Sequence, residues 1–221
     1  MEVVDNMELK DIKRKEVLET AKKMFEMELV AGTWGNISAR VDKQYMIITP
    51  SGMSCDLLKP EDMVLTNIHD LSYVGRLKPS IESLLHAEIY KIRPEIGAVI
   101  HSHSVHASSI AAARKDIPPI LDDMVQIVGG SIKVAEYGLP GSEEMVKKAV
   151  SKLKNRNAVI LANHGPVCLG RNIGEALITC QIVEKASKVF IDTQALGGPV
   201  SLSDADVAFM RKFYLEKYGQ R

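Results

Sequence analysis

GAVIHSHSVH, residues 97–106, opens as a short apolar run and ends in histidines spaced i, i+2. In an extended strand that spacing sets His101 and His103 on one face, roughly 6.5 Å apart along the backbone, with Ser102 turned the other way. Such a pair either shares a metal ion or simply ends a strand with polar groups. A second apolar run, NAVILANHG at residues 157–165, also ends in a histidine, His164, followed at once by Gly165. Three imidazoles delivered from strand ends leave one position open to substrate, the layout of a catalytic zinc rather than a structural one. His106 lies three residues past His103 on a helix-like segment and reads as a supporting residue.

Around this stretch the chain has 221 residues and no run of Pro, Gly or Ser long enough to be a linker, so one domain over residues 1–221 is expected. Hydrophobic residues make up 46% and aromatic residues only 5%, so the core is built from Ile, Leu, Val, Ala and Met. Acidic and basic residues balance at 28 each, which gives no field to draw in nucleic acid or an anionic membrane. Any anion must be bound by local geometry. Cys55, Cys168 and Cys180 are odd in number and form no CxxC, which argues against a disulfide framework. The N-terminal stretch is charged, without the apolar core of a leader, and no apolar run approaches membrane-spanning length. A cytoplasmic protein is expected.

Upstream, apolar residues recur at three and four over residues 10–30, the period of an amphipathic helix that Gly32 is placed to end. GTWGNIS (32–38) then either turns into a strand or forms a loop whose amides and small side chains approach an anion. YMIITPSGM (45–53) repeats the choice, a strand broken by Pro50, Ser51 and Gly52. Another strand is predicted around residues 63–68, with a hairpin after it. A helix is predicted over residues 80–92, with Ser80 as N-cap and Glu82 in the first turn. Glu82 there either serves the helix dipole or, if the helix start faces the histidines, acts as a general base beside a metal.

Downstream, residues 104–114 read as a helix of small residues, and VQIVGGSIKVAEY (125–137) as one or two strands split by Gly129 and Gly130. A helix capped by Ser142, a strand pair around His164, a long helix over residues 173–194 and a last helix over 203–218 complete the chain. Short strands mixed with helices, without a regular βαβ rhythm, predict an α/β layered fold whose sheet is not purely parallel.

With GTWGNIS, ITPSGM (48–53), KPSIE (78–82), AVIHSHSVHA (98–107) and NHG (163–165) in this order, the chain resembles the class II sugar-phosphate aldolase and epimerase family over nearly its whole length. The resemblance implies a three-layer αβα sandwich around a largely antiparallel sheet, assembled as a homotetramer with active sites between subunits. It implies Zn2+, with Mn2+ or Co2+ also suited to imidazole ligands, on His101, His103 and His164. Glu82 is then the catalytic acid/base and also reaches the metal when the site holds no substrate. An aspartate stands at that position in the related epimerases, so Glu82 favours an aldolase. The phosphate contacts of the family fall on Gly35, Asn36, Ser51, Gly52 and Ser80. Ile81 replaces a second hydroxyl residue, so one phosphate bond is missing or comes from the backbone. Tyr218 matches the C-terminal tyrosine reached from a neighbouring subunit, and Asp123 stands where the aldolases use another tyrosine at the aldehyde end.

The implied reaction is reversible cleavage of a ketose 1-phosphate, of the L-fuculose 1-phosphate kind, to dihydroxyacetone phosphate and an aldehyde. A metal acts as Lewis acid, so no lysine Schiff base is needed. Aldolases of 5-deoxyribulose and methylthioribulose 1-phosphates, and epimerases, decarboxylases or dehydratases of phosphorylated sugars, share the fold. The adducin head domain, a binding module, resembles the family too and would not need the three histidines.

Overall fold

The short apolar runs form strands and the amphipathic ones helices, as described by a computed structural model covering residues 2–219. The strands are β1 (Asn36–Arg40), β2 (Tyr45–Ile48), β3 (Val64–Asn67), β4 (Tyr73–Val74), β5 (Ala98–His101), β6 (Lys133–Ala135), β7 (Ala158–Leu161) and β8 (Gly165–Gly170). They make one eight-stranded sheet in the order β4-β3-β2-β1-β5-β8-β7-β6. Only β6 and β7 run parallel; every other neighbouring pair is antiparallel.

The helices are α1 (Glu2–Glu26), α2 (Ser83–Ile92), α3 (Val105–Ala113), α4 (Asp122–Val128), α5 (Glu143–Leu153), α6 (Ile173–Thr193) and α7 (Asp204–Lys217). Ser142, Asn172 and Ser203 cap α5, α6 and α7 by accepting the N–H groups of Met145, Glu175 and Asp206. Successive strand residues point to opposite faces and so fill two cores. Ile37, Ile47, Ile100 and Ile160 pack with residues of α1, α3, α4 and α6. Met46, Ile48, Val99 and Val167 pack with residues of α2 and α5. The result is the αβα layering with a mostly antiparallel sheet that the motifs imply. No helix among the described residues is long and apolar enough to cross a membrane.

Several sequence expectations are corrected. The first helix ends at Glu26 rather than running toward Gly32, because Glu28 takes a left-handed φ of 56° and turns the chain early. Residues 125–128 are the end of α4, not a strand. Their β-branched residues suggest extension, but Met124, Val125 and Val128 occupy one buried side of a short helix, and tertiary packing overrides propensity. Helix α2 starts at Ser83, three residues later than expected, so Glu82 precedes the helix instead of sitting in its first turn. Strand β5 closes at His101, so His103 lies just beyond the sheet rather than within a strand.

Register positions the site. Strand β5 lies between β1 and β8, with Asn36 opposite His101 on one side and Val167 opposite it on the other. The tight β7–β8 turn carries His164 to the same sheet edge, and Asn163 there adopts φ 57°. A Cβ on Gly165 would lie 2.2 Å from the Ser102 carbonyl oxygen and 3.5 Å from His101 Cε1. Only glycine lets the turn approach so closely. Gly165→Ala is expected to cost about 1–3 kcal/mol in urea unfolding by overpacking, and to weaken metal binding; an unchanged midpoint and metal affinity would show that the turn is not held this tightly.

Candidate active site

His101, His103 and His164 converge at that edge. Their ligand atoms all lie within 4.8 Å of one another. His101 Nε2 is 2.9 Å from His103 Nε2 and 3.2 Å from His164 Nε2. Imidazole nitrogens about 2.0–2.1 Å from one tetrahedral ion stand about 3.3 Å apart, so the spacing fits a shared divalent cation. His101 Nδ1 faces the Pro166 carbonyl at 3.1 Å, which fixes the proton on Nδ1 and leaves Nε2 as a bare lone pair. Burial, and then the neighbouring imidazoles, push His101 and His103 down to about 3, so both are neutral and able to ligate at pH 7.

Glu82 stands beside this group. Its Oε2 is 3.5 Å from His101 Nε2, and its Oε1 is 3.7 Å from His164 Nε2. The residue is only 3% exposed although it carries a carboxylate. Its side chain makes no capping hydrogen bond to α2. Instead Oε2 accepts a 2.7 Å hydrogen bond from Asn36 Nδ2, while Oε1 has no partner among the described residues. A buried carboxylate oxygen without a donor marks a place where a ligand or a proton is handled.

The glycine loops gather beside the histidines. Pro50 and Pro79 form an isolated bridge, with Ser51 N–H on the Lys78 carbonyl and Ser80 N–H on the Thr49 carbonyl. That pairing places Ser51, Gly52, Ser80 and Ile81 with Gly35, Asn36 and Glu82 around one cleft of about 200 Å³. Gly35 is required there. It has φ 94°, and a Cβ would meet Val30 Cγ1 at 2.6 Å and the His101 carbonyl at 2.9 Å. Ser80 does not cap the helix as expected; its hydroxyl accepts the N–H of Glu82 and so fixes the approach of that residue. The Asn36 amide is engaged with Glu82 and His86. A second cleft, of about 450 Å³, adjoins the first at Trp34, His103, Pro140 and His164 and is also lined by Ala31 and Tyr137. Trp34 lies within GTWGNIS without being singled out there, and Tyr137 and Pro140 gave no motif; all three are found only through this proximity.

Asp123 and Tyr218 do not line either cleft within their own chain. Asp123 lies in the first turn of α4 and pairs with Lys185 on α6 at 2.6 Å. Tyr218 follows α7 and packs on the Tyr214 ring, centroids 5.4 Å apart. His106 takes the supporting role expected of it, with Nδ1 2.6 Å from the Glu184 carboxylate.

Residues 15–191 match the family described as Class II Aldolase and Adducin N-terminal domain. The chain belongs to the class II aldolase family. It is 32% identical over 209 residues to the 5-deoxy-D-ribulose 1-phosphate aldolase of Bacillus thuringiensis serovar kurstaki, covering 94% of this chain and 97% of that protein. It is 31% identical over 208 residues to the L-fuculose phosphate aldolase of Escherichia coli K12, covering 94% and 95%. A solved L-fuculose 1-phosphate aldolase superposes with a TM-score of 0.88 at 33% identity, over 92% of this chain and 96% of that one. Named aldolases along nearly the whole length make this chain a class II aldolase, a lyase, rather than a binding module of the adducin kind.

Two fully buried histidines, His86 and His101, are expected to make the metal-free protein acid-labile. The unfolded chain protonates His86 and His101 near pH 6.5, whereas the folded chain, desolvating both rings, does so only near 3. The unfolded state therefore binds more protons between those values, and stability present above pH 6.5 is lost as pH falls toward 3. The slope reaches about 1 kcal/mol per pH unit for each ring. Urea midpoints of chelator-treated protein are expected to drop between neutrality and mildly acid pH; a flat profile would contradict neutral burial.

Proposed function

We propose that this chain is a cytoplasmic, divalent-metal-dependent aldolase that cleaves a ketose 1-phosphate reversibly to dihydroxyacetone phosphate and a short aldehyde. The observation that carries this is the three-imidazole group with the Glu82 carboxylate beside it. His101, His103 and His164 hold the ion, with Zn2+ the expected metal and Mn2+ or Co2+ compatible with the same ligands. When bound, the ion supplies a Lewis acid for the negative charge that carbon–carbon cleavage leaves on oxygen.

The chain's own residues supply the rest. Ser51, Gly52, Ser80 and the Gly35–Asn36 backbone anchor the phosphate in the smaller cleft and bring the reacting carbon to the histidines. In cleavage, the C4 hydroxyl gives its proton to the groups at the aldehyde end, and its oxygen forms the aldehyde carbonyl as the C3–C4 electron pair stays on C3. C3 takes a proton from protonated Glu82, which regains one from solvent as the C4 proton is released. In synthesis, Glu82 removes that proton from the hydroxymethyl carbon of dihydroxyacetone phosphate. In a homotetramer, Tyr218 and Asp123 of neighbouring copies serve the aldehyde end.

L-fuculose and 5-deoxyribulose, the sugars in the relatives' names, both end in a methyl group. Trp34, Tyr137, Pro140 and Ala31 give the larger cleft an apolar wall suited to such an end. Purified protein supplied with dihydroxyacetone phosphate is expected to condense with acetaldehyde and lactaldehyde faster than with glycolaldehyde, read as ketose phosphate by mass. Preference for glycolaldehyde would contradict the apolar subsite. A ketose phosphate that changes stereochemistry without changing mass would replace the aldolase reading with an epimerase.

A further inference from the structure

Behind Glu82, on the face of the sheet covered by α2, runs a line of buried polar groups that proton transfer itself does not use. Asn36 and Ser38 share one face of β1, and His86 and Tyr90 follow Glu82 at four-residue steps; all are buried. Asn36 Nδ2 donates to Glu82 Oε2 at 2.7 Å, which turns Asn36 Oδ1 toward His86 Nε2 at 2.6 Å. His86 must then carry its proton on Nε2, leaving Nδ1 to accept the Ser38 hydroxyl at 2.7 Å. Ser38 Oγ in turn receives the Tyr90 hydroxyl at 2.8 Å, a hydrogen shared with the Ser38 carbonyl at 3.1 Å. Every donor along this line points toward the carboxylate. Burial holds His86 down at about 3 against the opposing pull of Glu82, so the ring is neutral and the direction of the line is single-valued.

We propose that His86, backed by Ser38 and Tyr90, is a positioning residue that locks Glu82 Oε2 through Asn36 and so presents Oε1 as the oxygen that exchanges the substrate proton. The inference rests on the aldolase reading and adds a division of labour between the two carboxylate oxygens. Oε2 is held by a donor; Oε1 is buried and has none among the described residues. A carboxylate pinned at one oxygen loses the rotation about its terminal bond that would otherwise swap the two, and proton transfer is steep in such geometry. Arg40 steadies the far end, with its guanidinium 4.5 Å above the Tyr90 ring and a 2.8 Å bond to the Tyr90 carbonyl.

The test compares His86→Leu, His86→Gln and Tyr90→Phe in the metal-loaded full chain, with L-fuculose 1-phosphate and 5-deoxyribulose 1-phosphate as substrates. His86→Leu is expected to lower kcat by about 10²-fold, with KM and metal per chain unchanged. His86→Gln, whose amide N–H can replace the ring N–H toward Asn36, is expected to recover all but about 10-fold of that rate. Tyr90→Phe keeps its ring in the core and is expected to cost about 3- to 10-fold in kcat alone. Wild-type kcat in folded His86→Leu, a loss carried by KM or by metal content, or a glutamine variant no better than leucine overturns the proposal. Where His86→Leu does not fold, Tyr90→Phe decides, and its unchanged kcat is the contrary result. Wild-type protein that cleaves neither ketose and condenses no aldehyde with dihydroxyacetone phosphate sinks the aldolase reading instead.

Discussion

Glu82→Gln lowers turnover by about 10³-fold while bound metal stays at the wild-type level, because positioned general acid–base groups contribute about 10²- to 10⁴-fold. The substitution is nearly isosteric. The glutamine carbonyl can still accept from Asn36, as Oε2 does now at 2.7 Å. Its amide then occupies the place of Oε1, the oxygen without a partner, and an amide neither takes nor returns a proton there. The histidines keep their ligand atoms within 4.8 Å of one another without help from Glu82, which is why metal content should be spared. The check is steady-state kinetics on protein whose metal has been quantified. Turnover close to wild type removes Glu82 from proton transfer; loss of metal in parallel makes it a ligand instead.

Removing the divalent ion has an effect of similar size. A Lewis acid supplies several kcal/mol of charge stabilisation, and each 1.36 kcal/mol is tenfold in rate, so chelation is expected to reduce turnover by about 10³-fold or more. The loss should reverse on adding Zn2+, Mn2+ or Co2+, because neutral imidazoles accept all three. His101 and His103 are already neutral at pH 7, so rebinding needs no proton to leave either ring. Full activity in protein shown to be metal-free would contradict the metal reading, since no lysine lines either cleft to take over as a Schiff base.

The three-histidine group was legible in the sequence because its carriers are local. HSH at one strand end and NHG at another need only short-range geometry and the expectation that the two ends meet. The register that makes them meet, Asn36 against His101 and Gly165 under Ser102, is a matter of long-range pairing that no local period encodes. Helices α5 and α7 fell where Ser142 and Ser203 placed them, and α6, capped by Asn172, fell where its apolar period placed it. The misread helix α4 lacks a side-chain cap and is seven residues long, so β-branched composition outweighed its buried spacing.

The apolar period of residues 80–92 announced a helix but hid the more useful pattern. Glu82, His86 and Tyr90 repeat every four residues, and Asn36 and Ser38 alternate on a strand, so polar groups follow the period of the buried face. A polar residue recurring at core-facing positions signals an internal hydrogen-bond line, and that signal was available before the structure. Ser80 was read as a helix cap, yet it bonds the Glu82 N–H in a turn ahead of the helix. Nothing in one chain's sequence places Asp123 or Tyr218 beside the histidines, and the fold sets them elsewhere in their own subunit.

The most direct measurement leaves carbon–carbon cleavage out altogether. Metal-loaded protein is incubated with dihydroxyacetone phosphate in deuterated water, without aldehyde, and the hydroxymethyl carbon is followed by NMR. Wild-type protein should exchange one of the two hydrogens on that carbon stereospecifically, and Glu82→Gln carrying the same metal should exchange neither. Exchange by Glu82→Gln at the wild-type rate, or none by metal-loaded wild type that still cleaves ketose phosphate, would contradict proton transfer by Glu82 beside the three histidines.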